Sequence, residues 1–171
     1  MTKFNNKFRI ESSRRNGWDY SSPWLYFVTI NTEQQYPIFG EIENGRIILN
    51  ELGKIADRYW NEIPLHFKNI KLDNYVIMPD HIHGIINILD TAEMKIFRQK
   101  DVNFVKTPYM ASLLGNVIGK FKGAVTRWAK ANNYSSFKWQ TRFYDRVIRD
   151  TRELFYVRDY IEMNPLKTLE N

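Results

Sequence analysis

Apolar residues recur along this chain with two different periods, and the switches between them mark its elements. Trp24-Leu-Tyr-Phe-Val-Thr-Ile-Asn31, rich in aromatic and β-branched residues, predicts a buried strand. Pro37-Ile-Phe-Gly-Glu-Ile42 and Arg46-Ile-Ile-Leu49 flank Glu43-Asn-Gly45, a hairpin signal because Asn-Gly accepts the positive φ of a tight turn. Asn50 predicts a helix cap. Behind it Leu52, Ile55, Ala56, Tyr59, Trp60 and Ile63 follow the helical period until Pro64, which predicts the stop. Two apolar runs, at about 70–78 and 81–89, are separated only by Pro79-Asp80 and predict an antiparallel pair. Leu113, Leu114, Val117, Ile118, Phe121, Val125 and Trp128 form the stripe of a second helix over about 110–131. Arg146-Val-Ile-Arg149 predicts a short strand. The last helix starts at Asp150 with Glu153 three residues later, the spacing of a capping box, and is expected to end at Pro165.

The order is strand, hairpin, helix, strand, strand, helix, short strand, helix. Hairpins dominate and no repeated strand-helix-strand run occurs, so the fold class is α+β, an antiparallel sheet with helices packed on it. At 171 residues the chain is read as one domain over 23–171, preceded by a polar, basic arm over 1–22. Residues 90–108 lack a clean period, and a loop that long in a compact domain is expected to be mobile or functional.

Composition narrows the setting. There is no cysteine, which excludes disulfides and thiolate metal sites and fits a reducing, cytoplasmic home. The polar N-terminus carries no signal-peptide pattern and no run is long enough to span a membrane, so no membrane partner is expected. The net charge of +6 is unevenly placed: residues 1–20 carry +3, residues 21–94 carry −5, residues 95–149 carry +10 and the remainder −2. That asymmetry suits a polyanion binder, and equally a solvated basic face.

Three groups of residues bear on chemistry. His81 and His83 sit one residue apart in the longest apolar run; on a strand they share a face about 6.6 Å apart, able to converge on one ion. The pair alone fits a metal site or two hydrogen-bonded structural histidines, and His66 has no partner spacing. On the last helix Tyr156, Tyr160 and Asn164 follow at i, i+4 and i+8 beside the stripe of Leu154, Val157 and Ile161. Read alone, they are border residues and a helix cap, or else a nucleophile and an amide ligand. A phenol is a weak nucleophile at its ordinary pKa near 10, and a divalent ion at the phosphate would compensate. Lys120, Lys122, Arg127, Lys138, Arg142 and Arg146, with Trp139, Gln140, Phe137 and Tyr144, mix phosphate-pairing charge with stacking surface, which suits single-stranded or hairpin nucleic acid. The other reading puts the aromatics, Phe137 and Tyr144 first, in the core.

Taken together, these blocks resemble the single-tyrosine HUH transposases, specifically REP-associated tyrosine transposases and their insertion-sequence relatives. Val76-Ile-Met-Pro-Asp-His-Ile-His-Gly-Ile-Ile86 is similar to the family's histidine-hydrophobe-histidine strand. Lys138-Trp-Gln-Thr-Arg-Phe-Tyr-Asp-Arg-Val-Ile-Arg149 resembles its tryptophan-glutamine block, and Asp159-Tyr-Ile-Glu-Met-Asn-Pro165 its tyrosine helix. Softer similarity in Tyr26-Phe-Val-Thr-Ile30 and residues 113–126 extends the match over most of the chain. The resemblance implies a ferredoxin-like antiparallel sheet with helices mainly on one face. It implies Tyr160 as nucleophile, His81 and His83 as metal ligands with Asn164 as a further one, and Mg²⁺ or Mn²⁺ as the ion. Ligand chemistry alone leaves the metal open, since two imidazoles suit Mn²⁺ or Zn²⁺ better than Mg²⁺. The implied activity is cleavage and rejoining of single-stranded DNA through a 5′-phosphotyrosine, with recognition of a hairpin beside the cleavage site and association with the nucleoid when DNA-bound. Arg146 stands where many relatives have histidine, and Asp80 where they have asparagine.

The chain stops soon after the tyrosine helix, which leaves open whether that helix serves its own subunit or the partner in a homodimer. Two alternatives stand beside the strand-transfer reading. One is a non-catalytic module binding hairpin or single-stranded nucleic acid. The other is a hydrolytic nuclease that uses metal-activated water and forms no covalent intermediate.

Overall fold

The computed structural model describes residues 3–4, 7–8, 18–20, 22–33, 36–90 and 112–167. Most of the predicted 1–22 arm, and the 90–108 loop beyond Asp90, lie outside the described residues. Near the N-terminus β1 (Lys3–Phe4) pairs antiparallel with β2 (Lys7–Phe8), apart from the main sheet. β3 (Trp24–Asn31) is a strand of the length its sequence predicts. β4 (Gly40–Glu43) and β5 (Arg46–Leu49) form the expected hairpin, with Asn44 at φ 49° and Gly45 at φ 74° making the tight turn. α1 (Glu51–Asn61) starts where Asn50 accepts a 2.9 Å hydrogen bond from the Gly53 amide.

Pro64 does not stop the helical region as expected. It occupies the first turn of a separate short helix, α2 (Ile63–His66), where its missing N–H has no helical partner to lose. β6 (Ile70–Ile77) and β7 (His81–Ile88) are the predicted antiparallel pair, with a bulge between Leu72 and Tyr75. α3 (Leu113–Ala131) begins at the Ser112 cap, three residues later than its apolar stripe suggested, and Asn133 follows its end at φ 65°.

The short strand is displaced from the prediction. β8 (Tyr144–Val147) pairs with β3 from Thr29↔Tyr144 to Tyr26↔Val147, so Ile148 leaves the ladder and packs beneath the last helix. That helix, α4 (Thr151–Lys167), carries Pro165 inside its final turn rather than ending before it. Only the one backbone bond that Pro165 cannot donate is lost there, so close to the end that the turn still forms.

The main sheet runs β6-β7-β3-β8 with every neighbour antiparallel. Two split strand-helix-strand units, β3–α1–β6 and β7–α3–β8, interleave in that order, which is the ferredoxin-like arrangement. Alternation along the central strands sends two residue sets to two faces. Tyr26, Val28, Ile30, Ile82, Ile86 and Ile88 bury one face in a core shared with Leu52, Ala56 and Trp60 of α1 and Leu114, Val117, Ile118, Phe121 and Val125 of α3. Each large aliphatic side chain taken out of water there contributes about 1.5–3 kcal/mol. The opposite face presents Leu25, Phe27 and Ile85 to Leu154, Val157 and Ile161 of α4. Helices therefore lie mainly on one face, as expected, and α4 alone among the described long helices covers the other.

Gly84 ties the two faces together. It follows His83 in the histidine strand, and a Cβ built there would sit 2.3 Å from Cζ2 of Trp60, the fully buried indole on α1. The glycine is needed for packing directly behind the histidines. Gly84→Ala is expected to destabilise the domain by about 1–3 kcal/mol, read as a lower urea midpoint at unchanged slope.

Candidate active site

His81 and His83 project from β7 toward α4, and their neighbours follow from strand register. Across the sheet His83 faces Thr29 and His81 faces Asn31. Thr29 Oγ1 lies 2.9 Å from His83 Nδ1, and Asp80 Oδ1 lies 2.6 Å from His81 Nδ1. Asp80 as a carboxylate can only accept, so His81 presents its Nδ1–H to it. With Thr29 Oγ1 accepting from His83 Nδ1–H, the neutral His83 ring carries its lone pair on Nε2. The two Nε2 atoms face each other at 3.1 Å.

His83 is 6 % exposed, stacked against Phe27 at 5.4 Å between ring centres. Burial, and then the neighbouring His81, push its pKa down to about 3. A buried imidazole held neutral, with its Nε2 turned toward His81 and Tyr160, is suited to ligation rather than to carrying charge.

α4 brings the third group. Tyr160 lies over this pair, its hydroxyl 3.3 Å from His83 Nε2 and its ring 5.2 Å from the imidazole and edge-on to Phe27. It is 39 % exposed, so the phenol is open to a substrate from outside. Asn164, one turn further along α4, is buried at 9 % exposure. His81, His83 and Tyr160 thus converge within a single subunit.

The helix is held at its start and along its middle. At its start Asp150 Oδ1 accepts from the Glu153 amide at 2.8 Å, while the Glu153 carboxylate accepts from the Arg149 amide, one residue earlier than a standard capping box would reach. In its middle Arg158 donates twice to Asp73, at 2.7 and 2.6 Å, and Asn74 Nδ2 donates to Glu162. Asp73 and Asn74 occupy the bulge of β6, whose irregularity turns both side chains to α4.

The Arg158 bonds hold the Asp73 carboxyl below its ordinary range. A folded-state pKa lower than the unfolded one contributes stability above pH ~4 that is lost as pH falls through the folded value. Asp73→Asn is therefore expected to cost about 1–3 kcal/mol at pH 7 and progressively less as the pH is lowered below ~4, measured by urea midpoints across that range.

The basic and aromatic candidates divide between places. Lys122 is half-buried, its Nζ donating at 2.6 Å to the Gln140 carbonyl, and burial lowers its pKa. Trp139 packs on Phe39, Phe121 and Phe137, with its indole N–H on the Lys122 carbonyl at 3.1 Å. Both are partly buried and pin the 137–142 connector to α3. Gln140 joins the end of β3 through its amide to the Asn31 carbonyl at 3.0 Å, next to the His81 pairing position. Phe137 is in the core and Tyr144 is exposed. Lys120 and Arg127 line an open groove between α3 and the α1–α2 corner, behind the sheet from Tyr160, with Lys120 over the Phe67 ring. Lys138 lies 3.8 Å from Glu33, Arg142 is exposed, and Arg146 pairs with Glu153 beside α4. Among the described residues, the basic candidates are divided between the two sides of the sheet.

Thr29 and Phe27 were not singled out from the sequence. Only the β3–β7 register reveals them, because each contacts His83 from a strand more than fifty residues away.

Two imidazole nitrogens at right angles on one ion, each about 2.1 Å from it, lie about 3 Å apart, so the Nε2 separation fits a shared divalent cation. Each ring is oriented by an oxygen on its far nitrogen, the usual support of a metal-binding histidine. Among the described residues no three His, Cys, Asp or Glu side chains cluster as a metal site. Among the described residues, further ligands would be of other kinds, such as the Asn164 amide, or would come from substrate oxygens.

No helix among the described residues is long and apolar enough to cross a membrane. No family model matches the chain. Its fold is similar to that of a REP-associated tyrosine transposase bound to a REP hairpin, with a TM-score of 0.60 at 18% identity over 93% of this chain and 74% of that one. In sequence it is 32% identical over 168 residues to an uncharacterized protein of Haemophilus influenzae (strain Rd), covering 96% of this chain and 93% of the relative. The chain belongs to the same protein family as that Haemophilus influenzae protein.

Proposed function

We propose that this protein is a tyrosine transposase, active or domesticated, that cleaves and rejoins single-stranded DNA beside a hairpin. The observation that supports this most is the Tyr160 hydroxyl 3.3 Å from His83 Nε2, on the open side of two imidazoles whose Nε2 atoms are 3.1 Å apart. The likeness of its fold to a hairpin-bound transposase agrees with the reading.

In this reading Tyr160 Oη attacks the scissile phosphorus and loses its proton as the new bond forms. The bond from phosphorus to the 3′ oxygen breaks, and that oxygen leaves as a 3′-hydroxyl. The 5′ phosphate stays on the tyrosine, and a later 3′-hydroxyl can reverse the reaction and join a new strand. His81 and His83, with Asn164, would hold a divalent ion, Mg²⁺ or Mn²⁺, whose chemistry is to neutralise charge on the phosphate and fix it in line. Thr29 and Asp80 orient the two rings, and Phe27 backs both His83 and Tyr160.

The test is a denaturant-resistant band of protein with DNA after mixing the chain, Mn²⁺ and hairpins with single-stranded flanks. Free 5′-phosphate product with no adduct would favour the hydrolytic nuclease, and tight binding without cleavage the non-catalytic module.

A further inference from the structure

Beside the Tyr160 phenol a cavity of about 560 Å³ opens along α4, walled by Phe27, Tyr160, Tyr156 and three arginines, Arg146, Arg149 and Arg152. That volume is in the range that encloses one small ligand. Two of its guanidinium groups are fixed: the Glu153 carboxylate, 10 % exposed, pairs with both Arg146 and Arg149. They are held without being covered, since their own side chains are 60 % and 67 % exposed. The third, Arg152, stands 5.8 Å from the centre of the Tyr156 ring. Tyr156 is 63 % exposed, an aromatic face kept in water where burial would have been stabilising. It lies four residues before Tyr160, about 6 Å along the helix axis.

We infer that this cavity is a subsite for one nucleotide of single-stranded DNA adjoining the scissile phosphate, its base stacked on Tyr156 and its phosphate paired with the arginines. The inference rests on the strand-transfer reading and adds how the strand is seated. An exposed aromatic ring beside paired guanidinium groups meets both halves of a nucleotide: the ring accepts any base, and arginine forks match phosphate oxygens. Glu153 lowers the net charge of the cavity while setting the direction of two guanidinium groups, so the site is arranged for positioning rather than for bulk attraction. A duplex would not serve, because its bases are stacked on one another and offer no free face.

The experiment uses the full chain with Mn²⁺ and a pool of DNA hairpins whose single-stranded flanks are randomised. The junction captured by the wild type defines a substrate, which is then remade with an abasic site on either side of the scissile phosphate. Removing the base on one side is expected to slow wild-type adduct formation about tenfold, the scale of one base–aromatic stack. Tyr156→Ala should be slowed about as much on intact DNA and show no further loss on that abasic substrate, and Tyr156→Phe should behave as wild type. Arg152→Ala should lower the salt dependence of binding by about one ion. Wild-type rates for Tyr156→Ala on intact DNA, or equal abasic penalties in both proteins, would overturn the subsite alone. Absence of any adduct from the wild type would overturn the strand-transfer reading and this inference with it.

Discussion

Tyr160→Phe is expected to bind hairpin DNA as the wild type does and to form no covalent adduct, a loss of at least about a thousandfold in cleavage. The substitution removes one oxygen and leaves the ring. The edge-on contacts of Tyr160 with Phe27 and His83 depend on the ring alone and survive. The hydrogen bond lost to His83 Nε2 is half-exposed and worth about 1 kcal/mol or less, so the fold should melt within a few degrees of the wild type. Binding and chemistry therefore separate cleanly in one variant. The measurement is paired: a gel shift for affinity, and a denaturing gel for adduct and for the freed 3′-hydroxyl strand. Continued cleavage by Tyr160→Phe would remove the nucleophile assignment. Cleavage without adduct in both proteins would point instead to an attacking water, with the histidines still in use.

Much of this arrangement was legible in the chain, for reasons that are local. The aromatic and β-branched run over 24–31, the Asn-Gly turn and the Asn50 cap each encode their element within a few residues. The one-residue spacing of His81 and His83 encodes a shared face as soon as the strand is recognised. Tyr160 and Asn164 share a helix side for the same reason. What the chain could not yield were facts set by long-range register and by which surface covers which. Thr29 meets His83 only because β3 and β7 pair with that offset. That Lys122 and Trp139 also pack is not visible in sequence, since a basic residue and an indole carry no mark of burial; both join the 137–142 connector to α3. Pro64 and Pro165 misled as helix stops because a proline in a first or last turn sacrifices little, and only the neighbouring turns show which case holds. The resemblance of the motif blocks joined strand and helix into one site before any coordinates did. The geometry adds that both halves come from the same chain.

Removal of divalent metal by a chelator is expected to abolish adduct formation, and Mn²⁺ should restore it in the wild type but not in His81→Ala. His81 is the better probe of the pair. His83 is buried between Phe27 and Tyr160, so its truncation would leave a cavity and loosen α4, confusing ligation with packing. The His81 side chain is 23 % exposed, held chiefly by Asp80, and its loss should leave the sheet intact. The direct readout is binding rather than activity. Mn²⁺ titrated into the wild type and followed by electron paramagnetic resonance should show a bound ion, and His81→Ala should weaken that binding by at least about a hundredfold, since removing a ligand costs more than disturbing its support. Asp80→Asn tests the support itself. A neutral amide holds the same ring less firmly and makes Nε2 a poorer donor, so Mn²⁺ affinity should fall by about tenfold while the fold is unchanged. Equal Mn²⁺ binding by wild type and His81→Ala would detach the two histidines from the metal, leaving them as packing beneath the tyrosine.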